Sequence, residues 1–251
     1  MSLLEAEGIT KHFGGLKALD SVDFHISKGE LVSIVGPNGS GKTTLFNIIT
    51  GFLKPTRGNI KFEGTLIRGL SPHRIARTGI GRTFQITALF ENLTVLDNVI
   101  VGLHHQTTSR IIDALIRDRL YCKEERICVE KAKEMLNFVG LGGFESELAA
   151  RLPSFPRKRL AVAIALVSNP SLLLLDEPAA GLNIREIDSL AALLRQIRDS
   201  GVTLCVIEHK MKFVMTLSDR VMVLNEGRKV AEGTPFEVSH DEKVIAAYLG
   251  K

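Results

Sequence analysis

The chain has no tryptophan, two tyrosines and only three cysteines in 251 residues. Cys122, Cys128 and Cys205 provide neither the dense, even set of a disulfide-stapled domain nor the spacing of a zinc site, and they point to a reducing, cytoplasmic setting. Long apolar runs are also missing. The longest, "LAVAIALV" at 160–167, is halted by "SNP" and falls well short of the roughly 20 residues a membrane-crossing helix needs. The amino terminus, "MSLLEAEGIT", carries acids where an export signal would be basic, so no export is expected. An excess of one charge is absent too: 32 basic residues stand against 28 acidic ones. The net +4 is ordinary surface charge rather than a nucleic-acid footprint. No internal repeat or low-complexity tract is present.

What remains is a globular composition, 45% apolar and 24% charged with 22 dispersed glycines, in a chain long enough for one large domain or two unequal ones. Short strands are read at "AEGITKHF", "VDFHIS", "ELVSIVG" and "NIKFEG", each bounded by glycine or turn formers. A helix is expected to begin inside "GPNGSGKTTLFNIITG" and stop at Gly51, and a short one in "SPHRIARTG", with Ser71 as cap and Pro72 first, precedes a strand "GIGRTFQ". From about 87 to 160 strand signals vanish and helical spacing takes over, most clearly in "DRLYCKEERICVEKAKEMLNFVGLGG"; the mixed polarity of "QTTSRIIDALIRDRLYC" leaves that stretch hard to place. Buried strands then resume with "SLLLLDEP" and "VTLCVIEH", separated by an amphipathic helix with Ile187, Leu190, Leu194 and Ile197 on one face. Strand and helix alternating in this way give an α/β fold with a mostly parallel sheet and a helical insert.

"GPNGSGKT" at 36–43 fits G-x-x-x-x-G-K-[ST] between a buried strand and a helix, the context that makes the pattern a phosphate cradle. Gly36, Gly39 and Gly41 let the backbone turn its N–H groups toward an anion, with Pro37, Asn38, Ser40 and Thr44 completing the loop and its exit. Lys42 would pair with the β- and γ-phosphates and Thr43 with Mg²⁺, so a nucleoside triphosphate is the expected ligand. The strand end "LLLLDE" would place Asp176 near that metal and leave Glu177 to polarise a water. His209 ends the neighbouring strand and would point toward the nucleotide edge of the sheet; alone, a histidine there is more often a solvated loop residue. Gln85 closes "GIGRTFQ" where the helical insert begins, a place from which an amide could sense the γ-phosphate or its metal, or simply end a strand. Phe13, one of twelve phenylalanines, could stack on adenine or serve the core.

In order along the chain stand an early aromatic, "GPNGSGKTT", Gln85, a helical insert, "LLLLDEP", "AAGLN" and "IEH". The series resembles the nucleotide-binding subunits of ABC transporters over essentially the whole chain. "ITGFLKPTRGNI", "GIGRTFQ", "LFENLTVLDNV", "LDEPAAGLN", "IEHKMKFVM" and "AAYLG" look like the branch that drives uptake of branched-chain amino acids. The resemblance implies a P-loop NTPase core of mostly parallel sheet, with an antiparallel β subdomain and a helical subdomain. Residues 1–86 and 161–251 would form the core and 87–160 the helical subdomain. It implies ATP and Mg²⁺ as ligands, and an ATPase at the cytoplasmic face of the inner membrane. The partners would be transmembrane permeases, a second ATP-binding subunit and, indirectly, a solute-binding protein, with no nucleic acid. On it, Phe13 stacks on adenine, Lys42, Thr43 and Asp176 hold phosphate and metal, Gln85 couples the γ-phosphate to the helical subdomain, Glu177 activates water and His209 contacts the γ-phosphate. The other readings are a soluble ABC ATPase without a transport role and a nucleotide-binding subunit with impaired hydrolysis.

One stretch departs from that family. "RLPSFPRKRL" at 151–160 places Leu152, Pro153, Ser154, Phe155 and Pro156 where L-S-x-G-Q is usual. That loop works by presenting a hydroxyl, backbone N–H groups and a helix start to the other subunit's γ-phosphate. Two prolines remove donors and Phe155 adds bulk, and each charge-assisted bond lost there is worth about 1.5–3 kcal/mol. Ser154 could still cap the helix, with Arg157, Lys158 and Arg159 supplying diffuse charge, or the stretch could be a solvated basic helix start.

Overall fold

The structure is a computed structural model. It describes residues 2–84, 89–103 and 119–249, except the side chains of 119–123, 248 and 249. Gln85 lies outside the described residues, as does "QTTSRIIDALIRD" at 106–118. The chain divides into two compact units, one formed by Met1–Gln85 with Ser171–Lys251 and the other by Ile86–Pro170. The expected boundary at 160/161 falls within the helix Ser154–Leu166, which belongs whole to the second unit because a continuous hydrogen-bonded helix packs as one body.

The first unit carries two sheets. β1 (Ser2–Phe13) and β2 (Leu16–Ser27) pair antiparallel, and β4 (Arg57–Phe62) and β5 (Thr65–Leu66) extend the sheet in the order β2-β1-β4-β5. The second sheet has the order β10-β9-β3-β8-β7-β6. β3 (Leu31–Val35), β6 (Ile80–Arg82), β7 (Leu172–Asp176), β8 (Thr203–Ile207) and β9 (Arg220–Asn225) run parallel, and β10 (Arg228–Gly233) is the antiparallel edge. β3, β7 and β8 are buried at every position, which is why "LVSIV", "LLLLD" and "TLCVI" read as continuous rather than alternating apolar runs. Within "GIGRTFQ" the strand β6 covers Ile80–Arg82, which pair with Leu172–Leu174 of β7, and the Thr83 N–H extends the pairing to the Leu174 carbonyl.

Helix α1 (Lys42–Ile49) leaves β3 through the glycine loop, and its Leu45, Phe46 and Ile49 are fully buried. They join Leu4, Ile9 and Phe62 of the first sheet and Leu172, Leu174, Cys205 and Met222 of the second in one core. Gly51, at φ 77, ends this helix as the sequence suggested. The helix Ile184–Asp199 starts on a capping box of Asn183 and Glu186 and buries Leu190, Leu194 and Ile197, while Ile187 is half-buried. β9, β10 and the helices Pro235–His240 and Glu242–Leu249, which the apolar patterning did not single out, complete the unit.

The second unit is helical. The helix Val95–Gly102, capped by Thr94 accepting from the Asp97 N–H, packs on the helices Arg119–Phe138 and Ser154–Leu166. Val95, Val99, Leu136, Leu160 and Ala163 form its buried contacts. In the helix Ser154–Leu166, Ser154 is the first helical residue and does not cap. The cap position is Pro153, whose ring-fixed φ of −60, with ψ 165, already has the extended geometry a cap requires.

Candidate active site

The loop from β3 to α1 is built by glycines at two demanding points. Gly36 has φ 151, and a Cβ there would overlap the carbonyl of Leu224 on β9. Gly41, the residue before α1, has φ 102, and its Cβ would lie 2.7 Å from both the Ala18 carbonyl and Leu19. With no acid in its first turn, α1 presents an uncompensated positive helix end at the loop. Lys42 is buried and curls back over the loop, its Nζ donating to the carbonyls of Gly36 and Pro37 at 2.9 Å each and to Ser40 Oγ at 3.3 Å. Burial pushes its ammonium below the usual lysine range, while the Glu177 and Asp176 carboxylates pull it back up.

This loop forms one wall of a cavity of about 670 Å³, lined by Asn38, Gly39, Gly41, Lys42, Thr43 and Thr44 together with Phe13, Glu177, His209 and Glu226. Gly36, Pro37, Ser40 and Asp176 do not line it; the first three complete the loop behind Lys42. Phe13 is 45% exposed at the end of β1, with the Lys11 ammonium 5.0 Å from its ring centre, so the core reading of this residue does not hold. Glu177 follows β7 at φ 50, a conformation that a non-glycine residue adopts at a cost, and its N–H donates to the Ile207 carbonyl. His209 Nε2 lies 2.8 Å from Glu177 Oε1, close enough for the imidazole N–H to donate to the carboxylate. The two residues at the ends of adjacent parallel strands are thus brought together at the cavity.

Asp176 is deeply buried, and its Oδ2 accepts from Arg82 Nη2 at 3.0 Å. Burial pushes its carboxyl above the usual range, against the pull of the Arg82 guanidinium. Its other oxygen, Oδ1, is buried without a hydrogen-bond partner among the described residues. That orphaned acceptor fits a metal or a metal-bound water. No cluster of three or more His, Cys, Asp or Glu suited to a metal occurs among the described residues; Thr43 and Asp176, with the phosphate oxygens Mg²⁺ arrives with, would hold it, and Gln85 lies outside the described residues.

Three residues near the site were not singled out from the sequence. Arg82 is one. Glu208, almost fully buried, accepts from the Ala179 N–H at 2.6 Å and from the His209 N–H at 3.0 Å, while Lys210 Nζ donates to the Leu182 carbonyl at 3.1 Å. These bonds fasten the "AAGLN" loop to the turn that carries His209. A charge inside "GIGR" and another beside the histidine in "IEH" were the available signals, since charge at a strand end needs a partner.

Comparisons with known proteins agree with this geometry. Residues 19–180 match the family described as ABC transporter, and residues 228–251 match the branched-chain amino acid ATP-binding cassette transporter family. The chain is 41% identical over 250 residues to the high-affinity branched-chain amino acid transport ATP-binding protein BraF of Pseudomonas aeruginosa, covering 99% of this chain and 98% of that one. It is 39% identical to LivG of Escherichia coli at the same coverage. Among solved structures, a nucleotide-free ATP-binding cassette from an ABC transporter superposes with a TM-score of 0.88 at 34% identity, covering 100% of both chains. The ADP conformation of the cassette MJ1267 superposes with a TM-score of 0.87, also at 34% identity and 100% coverage of both. With the family matched across more than half its length and relatives near 40% identity across nearly all of it, the chain belongs to the ATP-binding cassettes of ABC transporters, in the branched-chain amino acid branch.

Proposed function

We propose that this chain binds ATP with Mg²⁺ and hydrolyses it as the motor subunit of an importer for branched-chain amino acids. The observation that carries the reading is the single cavity in which the glycine loop, Lys42 and Thr43 face the Glu177–His209 pair, with Phe13 at its edge. Phe13 offers an exposed ring for the adenine, the loop N–H groups and the Lys42 ammonium take the phosphates, and Thr43 and Asp176 hold the metal. Bound Mg²⁺ would supply charge neutralisation on the phosphate oxygens. Glu177 takes a proton from the water that attacks the γ-phosphorus as the bond to the bridging oxygen breaks, and His209, by donating to Oε1, holds that carboxylate in position. Gln85 is assigned the coupling of the γ-phosphate to the helical unit on resemblance alone.

Transmembrane permeases and a second cassette are the proposed partners, with a solute-binding protein acting through the permeases, and the chain lies at the cytoplasmic face of the membrane as a peripheral subunit. No helix among the described residues is long and apolar enough to cross a bilayer, so anchoring falls to those partners. An ATPase assay of the purified chain, alone and with its partner, tests the reading: Lys42→Ala should lose nucleotide binding, and Glu177→Gln should keep binding and lose turnover. Unchanged turnover in both variants would overturn it.

A second reading, a cassette whose own contribution to its partner's site is weakened, is favoured by the helix start at Pro153. Pro153 and Pro156 have no N–H to offer, and the Arg157 N–H is engaged by the Pro153 carbonyl at 3.1 Å. The cavity of this chain would then be completed by an intact loop of a different subunit.

A further inference from the structure

Thr43 sits on the first turn of α1 and Asp176 at the end of β7, yet the two must be held at a fixed separation if both are to serve one metal. Arg82, at the end of β6, touches both supporting elements. Its Nη2 donates to Asp176 Oδ2 at 3.0 Å, while its Nη1 donates to Asn47 Oδ1 at 2.8 Å and Thr50 Oγ1 at 2.9 Å, on α1 and at its carboxyl end. The Thr50 hydroxyl donates in turn to the Phe46 carbonyl at 2.6 Å, which leaves its oxygen to accept from the arginine. The rings of Phe84 and Phe46 lie 4.8 and 5.6 Å from the guanidinium carbon. Bonded along one edge and flanked by two rings, a planar guanidinium cannot rotate, and its side chain is only 6% exposed.

The consequence falls on Asp176. A carboxylate anchored through one oxygen has its other oxygen held in a fixed place, and that oxygen, Oδ1, is buried with no hydrogen-bond partner among the described residues. We propose that Arg82 is a positioning residue that holds the α1 helix and the Asp176 carboxylate in one fixed relation, so that Thr43 and Asp176 Oδ1 meet the same Mg²⁺. The proposal deepens the ATPase reading above and rests on it.

The test is equilibrium binding of a fluorescent ATP analogue to the full chain, titrated with Mg²⁺ and compared with binding in EDTA. Groups that orient metal-holding side chains typically cost roughly 10–100-fold in metal affinity when removed. Arg82→Lys, which keeps the charge and loses the fork, should raise the half-saturating Mg²⁺ by about 10-fold or more on that scale and leave binding in EDTA unchanged. Asn47→Ala leaves the ion pair intact and removes one anchor of Nη1, so it should raise it by a smaller factor and stands in if Arg82→Lys does not fold. Arg198→Ala, which breaks the ion pairs to Asp199 and Asp219, residues that do not line the cavity, is the control and should change neither curve. A wild-type Mg²⁺ curve in the folded Arg82 and Asn47 variants, or equal losses with and without metal, overturns the proposal. Failure of the wild-type chain to bind the analogue at all would instead overturn the ATPase reading on which it rests.

Discussion

Two helix starts in this chain carry basic residues, and they are built differently. At α1 the residue before the helix is Gly41, at φ 102, the first turn holds no acid, and Lys42 is folded over the loop by three acceptors. At the helix Ser154–Leu166 the corresponding residue is Pro153, a second proline follows at 156, and two of its basic residues, Arg157 and Arg159, are engaged within their own unit. Arg157 pairs with Glu91 at 2.6 Å, and Arg159 donates to the Val139 carbonyl at 2.8 Å with its guanidinium 4.7 Å from the Phe155 ring. Positive charge near a helix start therefore does not make an anion site. What matters is whether N–H groups and ammonium are left aimed at the same point, and proline removes the first while ion pairing removes the second.

The largest effect should come from removing the aimed charge at the first start. Because a hydrogen bond to a charged group is worth about 1.5–3 kcal/mol, losing the Lys42 ammonium with its several bonds should weaken nucleotide binding by about 100-fold or more in a direct binding assay. The second start should respond in the opposite sense. Pro153→Ser with Phe155→Gly and Pro156→Gln restores the donors and opens the backbone, and steady-state ATPase of the assembled pair should rise by about 10-fold or more, the counterpart of one such bond. No rise would mean that the two starts differ in form and not in function.

Smaller effects sharpen what builds the first start. Gly41→Ala forces a side chain into φ 102 and to within 2.7 Å of the Ala18 carbonyl. Thermal unfolding should show a loss on the order of 1–3 kcal/mol from strain alone. Gly39→Ala, at φ 80 with open space around the new Cβ, should lose less. The smallest effect lies away from both starts. Burial pushes the Glu30 carboxyl up, but its bonds to Arg220 and the Ser27 N–H outweigh this and hold it below the usual range. The stability it contributes is complete above the ordinary glutamate range and is lost as pH falls through the lowered value. Glu30→Gln should therefore flatten the acid limb of stability against pH and leave the neutral region's slope unchanged, as read by denaturant unfolding across pH.

The first start was legible in the sequence because everything it needs is contiguous: strand, glycines, lysine and helix lie within residues 31–49. Asp176 and Glu177 were legible for a related reason, since they end a buried strand whose position in a parallel sheet fixes where its side chains go, while His209 was singled out by the resemblance. Arg82 and Glu208 were not, because their meaning lies in partners 94 and 29 residues away that no local pattern announces. The departure at 152–156 is visible as sequence; the Ser154 hydroxyl made it a candidate cap, but the rigid φ of Pro153 decides the point. β9 and β10 escaped because their apolar residues sit in a stretch rich in charge and turn formers, and the parallel pairing of β9 with β3 is what makes it a strand.

The proposal that this chain's cavity is a working ATPase site, and the second reading that its own loop gives less to its partner's site, are tested together most directly by ATPase activity of the assembled pair with Glu177→Gln in this chain alone. The account predicts that most of the activity disappears, because the productive site is the one containing this Glu177. Full activity retained in that variant would contradict it.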